Sequence, residues 1–201
     1  MINPLAPLTA TEIEKAVEIF RREHGDERAV FCSSGLDEPA KADVKAGRAV
    51  PRIVKFLGTD SVPDGGFEAY VNLAEDKVER LVRLGNEAQA PYGYYDLGAA
   101  VQLTKGNAEW LSAVKARGIA CDTKEDIERI QIDPWPAGGY AVDEIPFGHR
   151  AVRCIAFVRD DKTDNGYARP IHGLICHVDI TAGQVVRVED SGVIPMPPNP
   201  G

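Results

Sequence analysis

The sequence predicts an α+β protein in which a helix followed by antiparallel strands occurs twice along the chain. A capped amphipathic helix opens the sequence, and apolar runs separated by turn residues follow it. A second helical segment, with strands of its own after it, begins near Asn107. A chain of 201 residues can form two small domains that each bury a core. We therefore expect a first α+β domain at residues 1–95 and a second at residues 96–201.

The first helix is predicted by its ends and by its apolar face. Thr9 and Glu12 have the spacing of a capping box, in which each side chain binds a free backbone N–H of the other residue. Gly25 is suited to the residue after the helix, because glycine adopts left-handed backbone at little cost. The apolar residues at helical spacing are Ile13, Ala16, Val17 and Phe20. This face predicts a helix that lies on the strands after it.

Four apolar runs bounded by turn residues predict the strands of the first domain. They are residues 29–34, 52–59, 67–73 and 77–84, with a helical turn at 41–46 and a turn at Asp64-Gly65-Gly66. The fourth run does not alternate cleanly between apolar and polar residues. A helix is therefore an alternative for that run.

Residues 89–104 have little periodicity and include a proline, three tyrosines and two glycines, which predicts a connection between the domains. Residues 107–117 predict a helix with Trp110 and Val114 on its apolar side, and Thr123 with Asp126 predicts the start of a short helical turn. Residues 130–132 and 150–159 predict strands.

The string Asp133-Pro134-Trp135-Pro136-Ala137-Gly138-Gly139 predicts a rigid loop, and residues 160–166 a polar turn. The chain then predicts a closing hairpin. Its first strand is the apolar run 171–180, its turn is Thr181-Ala182-Gly183, and its return strand is 185–188. Residues 195–200 are rich in proline, which lacks the N–H that a sheet requires, so we expect an extended linker there.

Composition and charge exclude several classes of binding partner. The formal net charge of −8 argues against nucleic acid and anionic membranes, which select a clustered basic face. No apolar stretch approaches the ~20 residues of a membrane span, and the first residues lack the pattern of a secretory signal. The widely spaced cysteines favour buried free thiols over a disulfide or metal site; they are Cys32, Cys121, Cys154 and Cys176. We therefore expect a cytoplasmic protein.

The end of the chain carries a longer and more specific pattern. Residues 165–201 read NGYARPIxGLxxxVDxxxGxVVRVEDxGVxPxPPxPG, where x marks positions outside the pattern. This string resembles the end of the second small N-terminal domain of copper amine oxidases. The resemblance extends to residues 4–13, 36–41 and 132–135, whereas residues 70–103 match the family poorly. It implies two tandem cystatin-like α+β domains that precede a large catalytic domain.

The resemblance also implies a function. Copper amine oxidases oxidise primary amines to aldehydes and release ammonia and hydrogen peroxide. They use a copper ion held by three histidines, a topaquinone made from the tyrosine of an Asn-Tyr-Asp/Glu motif, and an aspartate base. None of these positions maps onto this chain, and Tyr167 follows Gly166 rather than asparagine. The resemblance therefore implies a non-catalytic region, with the missing catalytic domain as its partner in cis and a homodimer for the full-length parent.

The histidines do not predict a copper site of their own. His24 ends a helix, His149 follows a loop, and His172 and His177 are expected on one strand. Five positions along a strand place two side chains on opposite faces and about 17 Å apart. Copper requires nitrogen ligands that converge on one point. We assign no catalytic, cofactor-binding or metal residue, and the motifs of serine hydrolases, phosphate-binding loops and zinc proteases are absent from the sequence.

Pro134, Trp135 and Pro136 are the residues we expect at a contact with the missing domain, since tryptophan is a frequent interface anchor. The alternative is that Trp135 caps the core of its own domain. The alternative function is a free-standing cystatin-like binding module. Its protease-inhibiting version is disfavoured because Gln184–Val188 lacks the final glycine of the cystatin Gln-x-Val-x-Gly hairpin. A small-molecule enzyme would need a convergent set of polar residues that the sequence does not show.

Overall fold

The computed structural model describes residues 3–60, 66–138, 142–161 and 163–196. The chain divides into two compact units, residues 1–93 and 94–201, and each holds one four-stranded antiparallel sheet with helices packed on it. The predicted α+β class is therefore confirmed. None of the helices in the described ranges has both the length and the apolar character that a membrane span requires. The turn at residues 64–66 and the linker at 195–200 fall largely outside the described residues.

The first unit follows the predicted order, with the strands paired in sequence order. Its elements are α1 (Ala10–His24), β1 (Val30–Asp37), α2 (Lys41–Lys45), β2 (Ile53–Thr59), β3 (Gly66–Asn72) and β4 (Lys77–Leu84). β4 pairs with β3 along its length, so the helix considered for residues 77–84 is wrong.

Helix α1 forms as its end signals predict. The Glu12 backbone N–H donates to Thr9 Oγ1 at 3.3 Å, and the Thr9 N–H donates to Glu12 Oε2 at 2.8 Å. Gly25 ends the helix with left-handed backbone at φ 69°. The buried face of α1 packs on the sheet, and the Phe20 ring stacks on Phe67 of β3 at 4.9 Å between centroids. This contact places the core of the first unit between one helix and one sheet.

The second unit also pairs its strands in sequence order. Its elements are α3 (Tyr94–Gly106), α4 (Ala108–Ala116), α5 (Lys124–Arg129), β5 (Ile130–Pro136), β6 (Ala151–Val158), β7 (Leu174–Asp179) and β8 (Gln184–Asp190). The predicted closing hairpin is confirmed as β7 and β8, although β7 begins three residues later than the apolar run starting at Ile171.

The connection predicted at residues 89–104 is wrong for most of its length, because residues 94–104 belong to helix α3. Only residues 89–93 lie outside regular structure, and α3 packs against the strands of the second sheet. Its fully buried residues are the small Ala100 and Thr104, rather than a stripe of large apolar side chains. The usual signal of an amphipathic helix is therefore weak in this segment.

The next two helices have the caps that the sequence predicts. The Trp110 backbone N–H donates to Asn107 Oδ1 at 2.8 Å, and Thr123 forms a capping box with Asp126. Trp110 and Val114 of α4 are fully buried in the core of the second unit.

The loop predicted at residues 133–139 is wrong in its first half, because residues 133–136 belong to strand β5. Residues 133–136 pair with β6, with Trp135 opposite Arg153 and Pro136 opposite Val152. β5 is an edge strand of the second sheet, and edge strands tolerate proline because one side of the backbone has no partner.

Candidate functional site

The predicted contact residues lie on this edge strand. Trp135 is 59% exposed, and its indole Nε1 donates to Asp133 Oδ2 at 3.0 Å. A side chain this exposed does not cap the core, so that alternative is wrong. Trp110, the other tryptophan of the chain, fills the core instead. Trp135 is therefore a large aromatic side chain held at the surface by its own strand.

The two prolines face the open side of the edge. The Ala137 N–H donates to the Ala151 carbonyl at 2.9 Å, so the amide at position 137 points toward β6. Successive amides of a strand point to opposite sides. The nitrogens of Pro136 and Pro134 therefore point away from β6. The ladder with β6 loses no hydrogen bond to these prolines, and their rings fix the backbone on both sides of Trp135.

Exposed aromatic side chains concentrate in the second unit. They are Tyr94, Tyr95, Trp135, Phe147 and Tyr167, whereas the large apolar side chains exposed in the described part of the first unit are Leu5 and Leu81. Tyr94 is the most open of the set, at 86% exposure. Monomeric proteins seldom leave large aromatic surfaces in water without a binding role.

Four of these aromatics belong to one end of the second sheet. Asp96 Oδ2 accepts from Arg150 Nη2 at 2.7 Å, which ties the start of α3, with Tyr94 and Tyr95, to the residues just after Phe147. Trp135 lies at the same end of the ladder, since the next residue, Pro136, pairs with Val152 at the start of β6. Its side chain projects from the sheet face opposite to α3, because Pro134 and its partner Cys154 share the face that contacts Ala100 of α3. We call these four exposed side chains, Tyr94, Tyr95, Trp135 and Phe147, the aromatic surface. The sequence singled out Trp135 alone, because the tyrosines lie in the segment expected to be a connection.

Three of the four histidines form separate polar pairs. His24 Nε2 lies 3.0 Å from Asp60 Oδ2, His149 Nδ1 lies 2.7 Å from Asp179 Oδ2, and His177 Nε2 lies 3.1 Å from Glu189 Oε2. His172 lies in a turn before β7, so the expectation that it shares a strand with His177 is wrong.

These donor sets do not fit a copper centre. Among the described residues, no three histidine, cysteine, aspartate or glutamate side chains are grouped so that they could hold a metal ion. We assign no step of amine oxidation to the residues of this chain. The expectation that it holds no copper stays a prediction for metal analysis.

The four cysteines are free, and three of them are buried. Cys154 and Cys176 lie opposite each other on β6 and β7. Burial raises the pKa of the Cys154 thiol to about 12 and also raises the pKa of Cys176. Both thiols are protonated at neutral pH, so neither is suited to act as a nucleophile.

The segment compared with the inhibitory hairpin of cystatins has a different structure. Residues 184–188 belong to β8 and pair with β7, and the turn of the hairpin lies before them at residues 180–183. An inhibitory loop must project its residues from the tip of a turn. This geometry adds to the missing glycine as an argument against protease inhibition.

Comparison with known proteins identifies the family. The model of the copper amine oxidase N3 domain matches residues 95–200. The primary amine oxidase of Arthrobacter sp. (strain P1) is 33% identical over 196 residues, and the match covers 97% of this chain and 29% of the relative. The histamine oxidase of Arthrobacter globiformis is 28% identical over 202 residues, with coverage of 97% and 28%.

A solved structure shows the same fold. The crystal structure of a copper-containing benzylamine oxidase from Hansenula polymorpha superposes with a TM-score of 0.73 at 13% identity, over 96% of this chain and 32% of that one. The chain thus spans less than a third of the length of the relatives described here. With a family domain that covers more than half of its residues, the chain belongs to the copper amine oxidase family.

Proposed function

We propose that this chain is a non-catalytic N-terminal region of a copper amine oxidase. On this proposal the full-length parent oxidises primary amines to aldehydes with release of ammonia and hydrogen peroxide, and copper and topaquinone reside in the part that lies outside this chain. The observation that carries the proposal is the extent of the match: 97% of this chain aligns with 29% of a relative named primary amine oxidase. The parent would act as a cytoplasmic homodimer.

The aromatic surface supports a partner in cis. Its four side chains expose large rings at one end of the second sheet, and such rings are frequent anchors of interfaces. We place the contact with the catalytic domain here, with Pro134 and Pro136 holding the backbone that presents Trp135. The contact would be made by side chains that this chain leaves in water.

Peroxide production tests the absence of catalysis. The 201-residue chain is incubated with copper, and amine-dependent hydrogen peroxide is measured beside the copper content of the same sample. We expect no peroxide and substoichiometric copper, because three of the four histidines bind separate carboxylates. Peroxide added to a parallel sample controls for detection. Turnover with one bound copper per chain would refute the proposal.

A free-standing binding module is the second candidate, because the aromatic surface would serve a separate partner equally well. Sequencing the gene beyond the codon for Gly201 separates the two candidates. An open frame that encodes a catalytic domain supports the first. In that longer protein, Trp135→Ser is expected to lower the unfolding temperature of the catalytic domain, whereas Tyr167→Ser, a matched change at an equally exposed aromatic, is not. Equal effects of the two changes would refute the assigned surface.

A further inference from the structure

The second unit contains a cavity of about 630 Å³ lined by four arginines. It lies between the end of α4, helix α5, the end of β6 and residues 193–196. The arginines are Arg117, Arg129, Arg159 and Arg169. A protein with a net charge of −8 has concentrated cations here, and the amine-oxidase proposal does not account for them.

Three of these arginines have carboxylate partners. Arg117 pairs with Asp190 at 2.6 Å, Arg169 pairs with Asp160 at 2.5 Å, and Arg129 pairs with Asp126. Asp126 and Asp160 also line the cavity. These pairs offset the charge of three guanidinium groups, and they fix those groups at the cavity wall.

Arg159 differs from the other three. Its side chain donates from Nη2 to the Glu128 backbone carbonyl at 3.2 Å, and no described carboxylate lies within ion-pair distance of it. Its Nε is buried without a hydrogen-bond partner among the described residues, and so is the Nε of Arg169. A buried donor without an acceptor is costly, and more so when it carries charge.

A second cation lies close to Arg159. Burial, and then the charge of Arg159, lower the pKa of Lys105, while the Glu128 carboxylate opposes this shift. Glu125, Glu128, Asp160 and Asp161 line an adjoining cavity together with Arg159. These acids keep the region from strong net repulsion, yet none forms an ion pair with the Arg159 guanidinium among the described residues.

We infer that this cavity binds a small oxyanion, a phosphate or a carboxylate, through the guanidinium group of Arg159, with Arg169 lining the same cavity. A guanidinium offers parallel N–H donors that match the oxygens of such anions. An oxyanion would supply the counter-charge that the Arg159 guanidinium lacks among the described residues. The ligand site goes beyond the proposed function, since it requires neither copper nor a catalytic domain.

Thermal unfolding of the 201-residue chain tests the site. The midpoint is followed by tryptophan fluorescence in inorganic phosphate, in citrate, and in chloride at matched ionic strength. We expect phosphate or citrate to raise the midpoint above its value in chloride, because a ligand that binds only the folded state stabilises it. The anion whose rise is lost in Arg159→Gln identifies the chemistry, because phosphate and citrate also stabilise folded proteins without binding a site. No rise with either anion would overturn the inference.

Two variants locate the effect. Arg159→Gln removes the unpaired guanidinium and is expected to abolish the rise. Arg187→Gln makes the same charge change in the same unit, at a residue that pairs with Glu144 outside the cavity, and should keep the rise. An equal rise in Arg159→Gln and the wild type would mean an adventitious ion only. Without anion, Arg159→Gln should unfold at or above the wild-type temperature, because it removes a cation that lacks a counter-charge.

A measurement on the wild type keeps the test independent of folding. In ¹⁵N NMR, titration with phosphate should shift the Nε–H resonances of Arg159 and Arg169 with a shared saturation curve. The Nε–H of Arg187 serves as the control and should stay in place. Shifts of similar size at all three arginines would overturn the inference.

Discussion

Arg117 contacts three parts of the second unit. Its substitution should lower the free energy of unfolding more than substitution of its carboxylate partner, Asp190. The side chain is only 3% exposed. It donates to the carbonyls of Ala113 in α4, of His172 and Gly173 before β7, and of Gly192 after β8, at 2.8 to 3.3 Å. It also holds both carboxylate oxygens of Asp190, at 2.6 and 3.2 Å.

The expected losses in the free energy of unfolding follow from the polar groups that each substitution leaves without a partner. Arg117→Met leaves four backbone carbonyls without their donor and Asp190 without its cation, which should cost about 3–5 kcal/mol, as for a broken buried charge network. Asp190→Asn leaves Arg117 with its four carbonyl acceptors. Because the Asp190 side chain is 38% exposed, its loss should cost only about 1–2 kcal/mol.

Urea unfolding measures the difference. Both tryptophans, Trp110 and Trp135, belong to the second unit, so their fluorescence reports on that unit. With a urea dependence of about 1–3 kcal/mol per molar, Arg117→Met should unfold at a urea concentration roughly 1 M lower than Asp190→Asn. Equal midpoints would refute the reasoning, since they would mean that the four carbonyl bonds of Arg117 contribute nothing beyond its ion pair.

Three further predictions concern acid, the exposed indole and the thiols. The hydrogen bond from Arg52, and after it the Thr9 backbone donor, lowers the pKa of Glu12 from 4.5 to about 2, so the stability that this carboxylate contributes is full above pH 4.5 and is lost as the pH falls through 2. Acid unfolding followed by far-UV circular dichroism should therefore depend less on pH between these values in Glu12→Gln than in the wild type. An unchanged acid profile would count against the ion pair. Trp135→Ala should change the free energy of unfolding by less than about 0.5 kcal/mol and remove most iodide-quenchable fluorescence, and a loss of several kcal/mol would contradict the surface position. Cys154 and Cys176 should resist a thiol reagent in the folded chain and react in urea, because burial raises the pKa of both; rapid reaction of either in the folded state would contradict their burial.

Local chemistry made the ends of helices predictable. Thr9, Glu12 and Gly25 determine where α1 begins and ends through contacts within a few residues, and Asn107 does so for α4. Helix α3 had no comparable signal, because its buried face relies on small residues whose position only the second sheet determines. The prolines beside Trp135 indicated a loop, since sequence does not reveal which side of a strand stays unpaired.

The candidate sites also divide into one that local sequence indicates and one that only packing creates. Trp135 was recognisable from its residue type and neighbours, whereas the arginine cavity was not. Arg117, Arg129, Arg159 and Arg169 come from a helix end, a second helix, a strand end and a loop, and only the packing of the second unit brings them to one cavity. Their spacing along the chain contains no motif that would have indicated a shared site.

The outward nitrogens of Pro134 and Pro136 also limit how this protein meets other chains. An open edge strand with an exposed tryptophan can pair with a strand of another chain, and such pairing commonly leads to aggregation. Here two successive outward positions of β5 offer no N–H donor, so a strand approaching this half of the edge finds no regular ladder to extend. The Trp135 ring can therefore stay exposed while this half of the edge disfavours backbone pairing with another copy of the chain. Contacts with this half of the edge therefore depend on side chains, and the Trp135 ring is the largest one exposed on β5.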